Sequence, residues 1–347
     1  MNLPTGQFCS EVIHDISSLG NGLINDTFLV TTENTAFVLQ RINTQVFPKP
    51  VQIMENLSLL TQHIKQKNSR EVKLIIPAFL KSSDHQPYYL DSNNYYWRAL
   101  EFVENTVSKE KITNKKQAEQ VGFAVGHFHR LCSDANCDLF ADTLPGFHIT
   151  PQYFKQYQTL EDYQLKCIQS KKAQQCEQFI ADFEPKINTL ENARKQGLLI
   201  ERLTHGDPKL NNFLFDTDTE QIVSLIDLDT VKPGLVHYDI ADCLRSCCHN
   251  IQTNSFNLKL CETILNSYLK QTAVFFTEHD YTFLYPAIEL IPFELGLRFF
   301  TDYLQGNKYF KVDSAEQNLD RAWAQFQLCK SIQKQEREIR QLIDQSR

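Results

Sequence analysis

The stretch Leu203 to Arg245, LTHGDPKLNNFLFDTDTEQIVSLIDLDTVKPGLVHYDIADCLR, decides the fold. Phe213-Leu214-Phe215 is a short apolar run, Asp216 to Gln221 is polar and turn-prone, and Ile222 to Ile226 is apolar and β-branched. That order predicts a β-hairpin. A hairpin brings its two open ends together. One end carries Asp207 and Asn212, the other Asp227 and Asp229, with His205 and Lys209 beside them.

Oxygen-only ligands converging at one point suit a hard cation such as Mg²⁺, which takes one or two carboxylates plus substrate phosphates. An Asp followed five residues later by an Asn, then a hairpin and a second Asp, is the layout of a kinase catalytic loop. In that layout the first Asp accepts a hydroxyl proton, and the Asn and the later Asp hold metal. The competing reading is a polar turn with ordinary Asp and Asn caps. It explains an isolated His-x-Asp well and the full string poorly.

The stretch resembles the phosphate-transfer motif of the aminoglycoside phosphotransferase and choline kinase superfamily, which shares the protein-kinase fold. Within it, THGDPKLNN, LIDLDTVKPGL and DIADCLR are most similar to the N-acetylhexosamine 1-kinases. The resemblance implies ATP and Mg²⁺ as cofactors, Asp207 as the catalytic base, and Asn212 and Asp227 as metal ligands.

Whole-chain properties agree. The chain has 347 residues, 35 basic and 42 acidic, with a net charge of −7. An acidic chain without a long basic run argues against a nucleic-acid partner. The start, MNLPTGQFCSEVIHD, has no basic-then-apolar signal pattern, and the apolar stretch Phe283 to Phe300 is interrupted by Glu289, Glu294 and Arg298. A buried helix is expected there, not a membrane span, and the expected location is cytoplasmic. The ten cysteines are scattered, which fits reduced thiols. Cys132, Cys137, His127 and His129 fit no standard zinc spacing.

Toward the N-terminus, residues 12 to 40 read as strand, glycine loop, strand, strand. Gly20, Asn21 and Gly22 form the loop, where glycines let backbone N–H groups approach phosphate. GNGLINDTFLV and FVLQRIN resemble the N-terminal lobe of the hexosamine kinases. One departure matters: protein kinases hold the α- and β-phosphates with a Lys on the third strand. Gln40 occupies that place, and Arg41, next to it, is the preferred phosphate contact on its guanidinium chemistry. Residues 50 to 66 are an expected helix, on which Glu55 is either a partner to that cation or a surface residue. Leu74 to Leu80, Tyr88 to Leu90 and Tyr95 to Phe102 are expected strands. The polar segment after them, including Glu101 and Val103, is the hinge of a kinase-like fold, whose backbone recognises adenine.

Beyond residue 105 the periodicity is helical. Lys115 to Cys132 is one helix, with His129 read as structural; 153 to 197, Ile251 to Phe276 and Tyr281 to Tyr303 are mostly helical. Glu294 to Leu304 and Asn318 to Ala322 resemble the hexosamine-kinase C-terminal pattern, which implies that Arg298 lies near the sugar and the transferred phosphate. The plainer alternative pairs Arg298 with Asp302 along one helix.

The expected fold is α+β and protein-kinase-like, with a small antiparallel sheet lobe over 1–105 and a larger, mainly helical lobe over 106–347. The expected reaction is γ-phosphate transfer from ATP to a small-molecule hydroxyl, the anomeric 1-OH of an N-acetylhexosamine by the closest resemblance. A choline, homoserine or aminoglycoside kinase is the enzymatic alternative. A nucleotide-binding pseudokinase or scaffold is the alternative of another class, motivated by Gln40. Nothing in the sequence calls for an obligate protein partner.

Overall fold

The computed structural model describes residues 3–20, 24–160 and 170–347. Its N-terminal lobe is an antiparallel sheet of β1 (Ile13–Ser18), β2 (Asp26–Thr32), β3 (Ala36–Arg41), β4 (Phe79–Leu80), β5 (Tyr89–Leu90) and β6 (Tyr96–Glu101). The order is β1-β2-β3-β6-β4, with β5 also on β6. Alternation along the strands gives the sheet two unlike faces. Val30, Phe37, Leu39, Trp97 and Ala99 bury one face together with Phe8. The other face carries Thr27, Gln40 and Arg98, with Gln40 directly opposite both Thr27 and Arg98 in the register. Helix α1 (Pro50–Lys65) starts on a proline and buries Ile53, Met54, Leu57, Leu60 and Ile64 at helical spacing.

The strand expected over Leu74 to Leu80 is shortened to Phe79–Leu80. Its first half crosses to the other lobe, where Ile75 bridges Ser224 and its N–H donates to the Val223 carbonyl at 2.7 Å. Pro77, which has no N–H to give a ladder, lies between the two halves.

The C-terminal lobe is helical around one large core. It comprises α2 (Lys115–Cys132), α3 (Thr150–Gln158), α4 (Lys171–Phe183), α5 (Thr189–Lys195), α6 (Val236–Cys248), α7 (Leu258–Thr272), α8 (Glu278–Leu304), α9 (Gln317–Gln333) and α10 (Glu336–Asp344). Among the described residues the helical stretch read over 153–197 holds three α-helices, and 161–169 lie outside those residues. Three small strand pairings position the functional loop. The short strand β7 (Thr106–Val107) follows the hinge, β8 (Arg202–Thr204) leads into the loop, and β9 (Phe213–Asp216) with β10 (Ile222–Leu225) forms the hairpin. The closing strand β11 (Lys232–Gly234) returns to pair with β8, while β7 adds to the outer edge of β9. Residues 205 to 231 therefore leave and re-enter at one point, with the hairpin between. Among the described residues no helix is long and apolar enough to cross a membrane.

Candidate active site

The loop after β8 is shaped by Gly206 and held by Asp239. Gly206 has φ +87°, and a Cβ there would sit 2.7 Å from both the Cβ and the carbonyl oxygen of Thr230. Only glycine meets both the left-handed backbone and the close approach. Asp239, on α6 and fully buried, accepts the His205 N–H at 2.6 Å, the Gly206 N–H at 2.9 Å and His129 Nε2 at 2.9 Å. Burial opposes its ionisation, but His129 and His205 outweigh burial and hold the carboxyl below the ordinary aspartate range. His129 is thus a structural partner of the loop, with Nδ1 on the Tyr268 hydroxyl at 3.0 Å.

Asp207 follows. Its Oδ2 lies 2.5 Å from Lys209 Nζ, which also stands 3.8 Å from Asp227 Oδ2. Burial pushes the Asp207 carboxyl up, against the pull of Lys209. Burial also works against the Lys209 cation, yet Asp207 and Asp227 keep its ammonium above the ordinary lysine range. The hairpin does what its sequence pattern predicts: the Ile226 N–H donates to the Asn212 carbonyl at 3.0 Å, which sets Asp227 beside Asn212. Asn212 Nδ2 donates to the Asp207 carbonyl at 2.8 Å. That bond commits the amide nitrogen and leaves Oδ1 as the atom available to a cation. Asp227 adopts a left-handed backbone, φ +64°, and its side chain is 41% exposed. An amide oxygen and an accessible carboxylate form an oxygen donor set that fits Mg²⁺ with phosphate and water completing its shell.

Asp229 points the other way, into the lobe junction. Its Oδ1 is 2.5 Å from Arg98 Nη2 and its Oδ2 accepts from Asn25 Nδ2 at 2.8 Å. Arg98 also donates to Gln40 Oε1 from Nε at 3.0 Å and from Nη2 at 2.8 Å. The sheet face of Gln40 and Arg98 therefore meets the loop that follows β10. Arg41 is not brought there. It lies on the opposite face, donates to Asp26 from Nε at 2.7 Å, and rests over Tyr95 with 4.6 Å to the ring centroid. Glu55 is exposed on α1. Gly20 takes a left-handed φ of +70°, while Asn21 and Gly22 lie outside the described residues. At the hinge the Glu101 N–H donates to the Ala78 carbonyl at 2.9 Å, and the Val103 carbonyl accepts the Thr106 hydroxyl at 2.6 Å.

On the far side of the loop, His148 Nε2 contacts the Gly206 carbonyl at 2.9 Å and its Nδ1 contacts Glu294 Oε1 at 3.0 Å. A carboxylate and a carbonyl facing the two ring nitrogens favour the doubly protonated ring. Burial opposes that charge, but Glu294 outweighs it and raises His148. One turn along α8 from Glu294, the Arg298 guanidinium sits among Tyr153, Phe147 and Phe310, at 4.8, 5.3 and 5.7 Å from the ring centroids. It is not spent on Asp302, which instead accepts the N–H groups of Lys308, Tyr309 and Phe310 at 2.9, 2.8 and 2.9 Å. Asp242 and Arg245 of α6, bonded at 2.7 Å, are near enough to act on the Asp207 charge.

Sequence reasoning did not single out Arg98, His148 or Asn25. Arg98 left a trace: a charged residue inside the strand Tyr96-Trp97-Arg98-Ala99-Leu100, two of whose neighbours are buried. His148 left none, because its role depends on a contact with residues 58 and 146 positions away.

A two-lobed kinase-like fold with this loop between the lobes defines a phosphotransferase. The chain belongs to the phosphotransferase enzyme family that includes the aminoglycoside phosphotransferases, whose sequence model matches residues 15–265. Solved structures agree on the fold. A microcompartment-associated aminopropanol kinase is 15% identical, with TM-score 0.63 over 94% of this chain and 93% of that one. An amicoumacin kinase in complex with AMP-PNP, Ca²⁺ and Ami is 13% identical, with TM-score 0.60 over 96% of this chain and 92% of that one. An ethanolamine kinase of Plasmodium vivax is 16% identical, with TM-score 0.57 over 90% and 80%.

Proposed function

We propose that this phosphotransferase uses ATP and Mg²⁺ to phosphorylate the anomeric 1-hydroxyl of an N-acetylhexosamine. Asp207 accepts the hydroxyl proton and aligns the oxygen for in-line attack. Asn212 and Asp227 hold the metal, whose charge neutralises the phosphates when it is bound. Lys209, between Asp207 and Asp227, steadies both carboxylates. The Glu101 carbonyl and the Val103 N–H are the hinge groups left for adenine. Catalysis of this kind is positioning plus charge stabilisation.

One observation carries the choice of acceptor. The aromatic box of Phe147, Tyr153 and Phe310 is filled by the protein's own Arg298. Such boxes attract organic cations, and here the cation is built in. The nearby carboxylate Asp242 is taken by Arg245, and Glu294 is taken by His148 and Thr150. An ammonium-bearing acceptor such as choline, homoserine or an aminoglycoside meets like charge, whereas a neutral sugar meets aromatic faces and hydrogen-bond donors. The aminopropanol and ethanolamine kinases share the fold, and at their level of identity the acceptor does not follow from it.

The test is turnover of ATP with N-acetylglucosamine, N-acetylgalactosamine, choline, ethanolamine, homoserine and an aminoglycoside, followed by phosphorus NMR of the product. The expected product couples phosphorus to the anomeric proton. A phosphate on the hydroxyl of an amino alcohol would overturn the acceptor assignment. Nucleotide binding without turnover of any acceptor would favour the scaffold reading. Asp207→Asn should retain ATP binding and lose roughly 10²–10⁴-fold in turnover.

A further inference from the structure

The residue at the lysine place, Gln40, cannot neutralise a phosphate. Directly across the ladder on β6, on the same sheet face, stands Arg98. Its side chain is 2% exposed and is one of the largest fully buried side chains of the protein. A buried guanidinium is costly unless its N–H groups are matched. Here the match is incomplete. Nε and Nη2 are committed to Gln40 and Asp229, while Nη1 has no hydrogen-bond partner among the described residues. The cluster lies where three functional segments meet. Gln40 is on β3, and its Nε2 donates to Thr27 of β2 at 3.1 Å. Asn25, on the glycine-loop side of β2, reaches the same Asp229. Asp229 itself is two residues beyond the metal-side Asp227.

We propose that Arg98 is the phosphate-binding cation of this protein, moved one strand over from the lysine place, with Nη1 as the group that meets the nucleotide's α- or β-phosphate oxygen. The proposal rests on the nucleotide-dependent reading above. Gln40 then has a definite job: its carbonyl oxygen holds the guanidinium by two donors, which a lysine at position 40 would repel. Asp229 takes the place of the glutamate that pairs with the lysine in other kinases, which is why Glu55 is free to face solvent. The arrangement suits Arg better than Lys, because a planar fork can serve an amide, a carboxylate and a phosphate at once.

The test measures equilibrium binding of ATP with Mg²⁺, ADP with Mg²⁺, and adenosine by titration calorimetry, with no acceptor present. Arg98→Lys keeps a cation beside Asp229 and so protects folding, but its single ammonium cannot replace the third donor. ATP and ADP should weaken about 10-fold or more, with adenosine within about twofold of wild type. The double variant Arg98→Met with Asp229→Asn removes both buried charges together. It should weaken ATP and ADP by roughly 10–100-fold and again spare adenosine. Unchanged ATP affinity in Arg98→Lys, or equal loss for ATP and adenosine, would overturn the proposal and leave Arg98 a structural strap between the lobes. A wild-type protein that binds neither ATP nor ADP would instead remove the kinase reading on which it rests.

Discussion

Asp239→Asn isolates the anchor of the catalytic loop. The side chain is replaced almost isosterically, so the volume of the core is kept. Asn has one acceptor oxygen where Asp has two. With that oxygen toward the His205 N–H and His129, two of the three hydrogen bonds survive, and the amide NH₂ is turned on the Gly206 N–H, which loses its acceptor. An unsatisfied buried donor costs about 1–3 kcal/mol, and losing charge assistance on two bonds costs about 1 kcal/mol each. The expected loss is about 3–5 kcal/mol, a large fraction of a typical folding free energy. It also has a pH signature. The folded carboxyl of Asp239 is depressed, so its contribution is complete above about pH 4, the unfolded value, and fades as pH falls through the folded one. The gap between wild type and variant should therefore narrow on acidification. Urea denaturation at neutral pH and at about pH 2–3, below the unfolded value, measures both quantities. A neutral-pH loss below about 1 kcal/mol, or a gap that widens in acid, would refute the hydrogen-bond account of this anchor.

Other outcomes follow from the same geometry. Gly206→Ala combines a left-handed backbone with a 2.7 Å contact to Thr230, so turnover should fall at least about 100-fold through displacement of Asp207; near-wild-type kinetics would mean the loop is looser than described. The acid limb of kcat should lie above the ordinary aspartate value of about 3.9, because burial raises Asp207 and the base is lost as pH falls through that raised pKa. A limb at or below that value, in a pH-rate profile with saturating ATP, would take Asp207 out of the base role. Arg298→Ala should reduce kcat by roughly 10²-fold if the guanidinium faces the transferring phosphate, and single-turnover kinetics would separate that effect from weaker acceptor binding.

Much of the fold was legible because its signals are local. The hairpin from Phe213 to Leu225 follows from an apolar run, a polar turn and a β-branched run. The strands β1 and β2, the helix from Pro50 to Lys65 and the change from strands to helices after residue 105 are equally local in origin. The preference for Arg41 over Gln40 as the phosphate contact does not foresee that Arg41 lies on the sheet face away from Gln40 and Arg98. Adjacent residues of a strand point to opposite faces, so Arg41 went with Trp97 and Tyr95 while Gln40 met Arg98. Which strand neighbours β3 is a long-range fact, and no spacing within residues 36 to 41 contains it. His148 and Glu294 were illegible for the same reason: their pairing spans 146 positions.

The aromatic box around Arg298 has a consequence for how this fold changes acceptor. The three rings come from separate segments, Phe147 before α3, Tyr153 within it and Phe310 after α8, and one side chain plugs them. Shortening that side chain would not create a cation receptor; it would vacate one that is already assembled. Tetramethylammonium or free guanidinium should then bind the truncated protein and be ignored by the intact one.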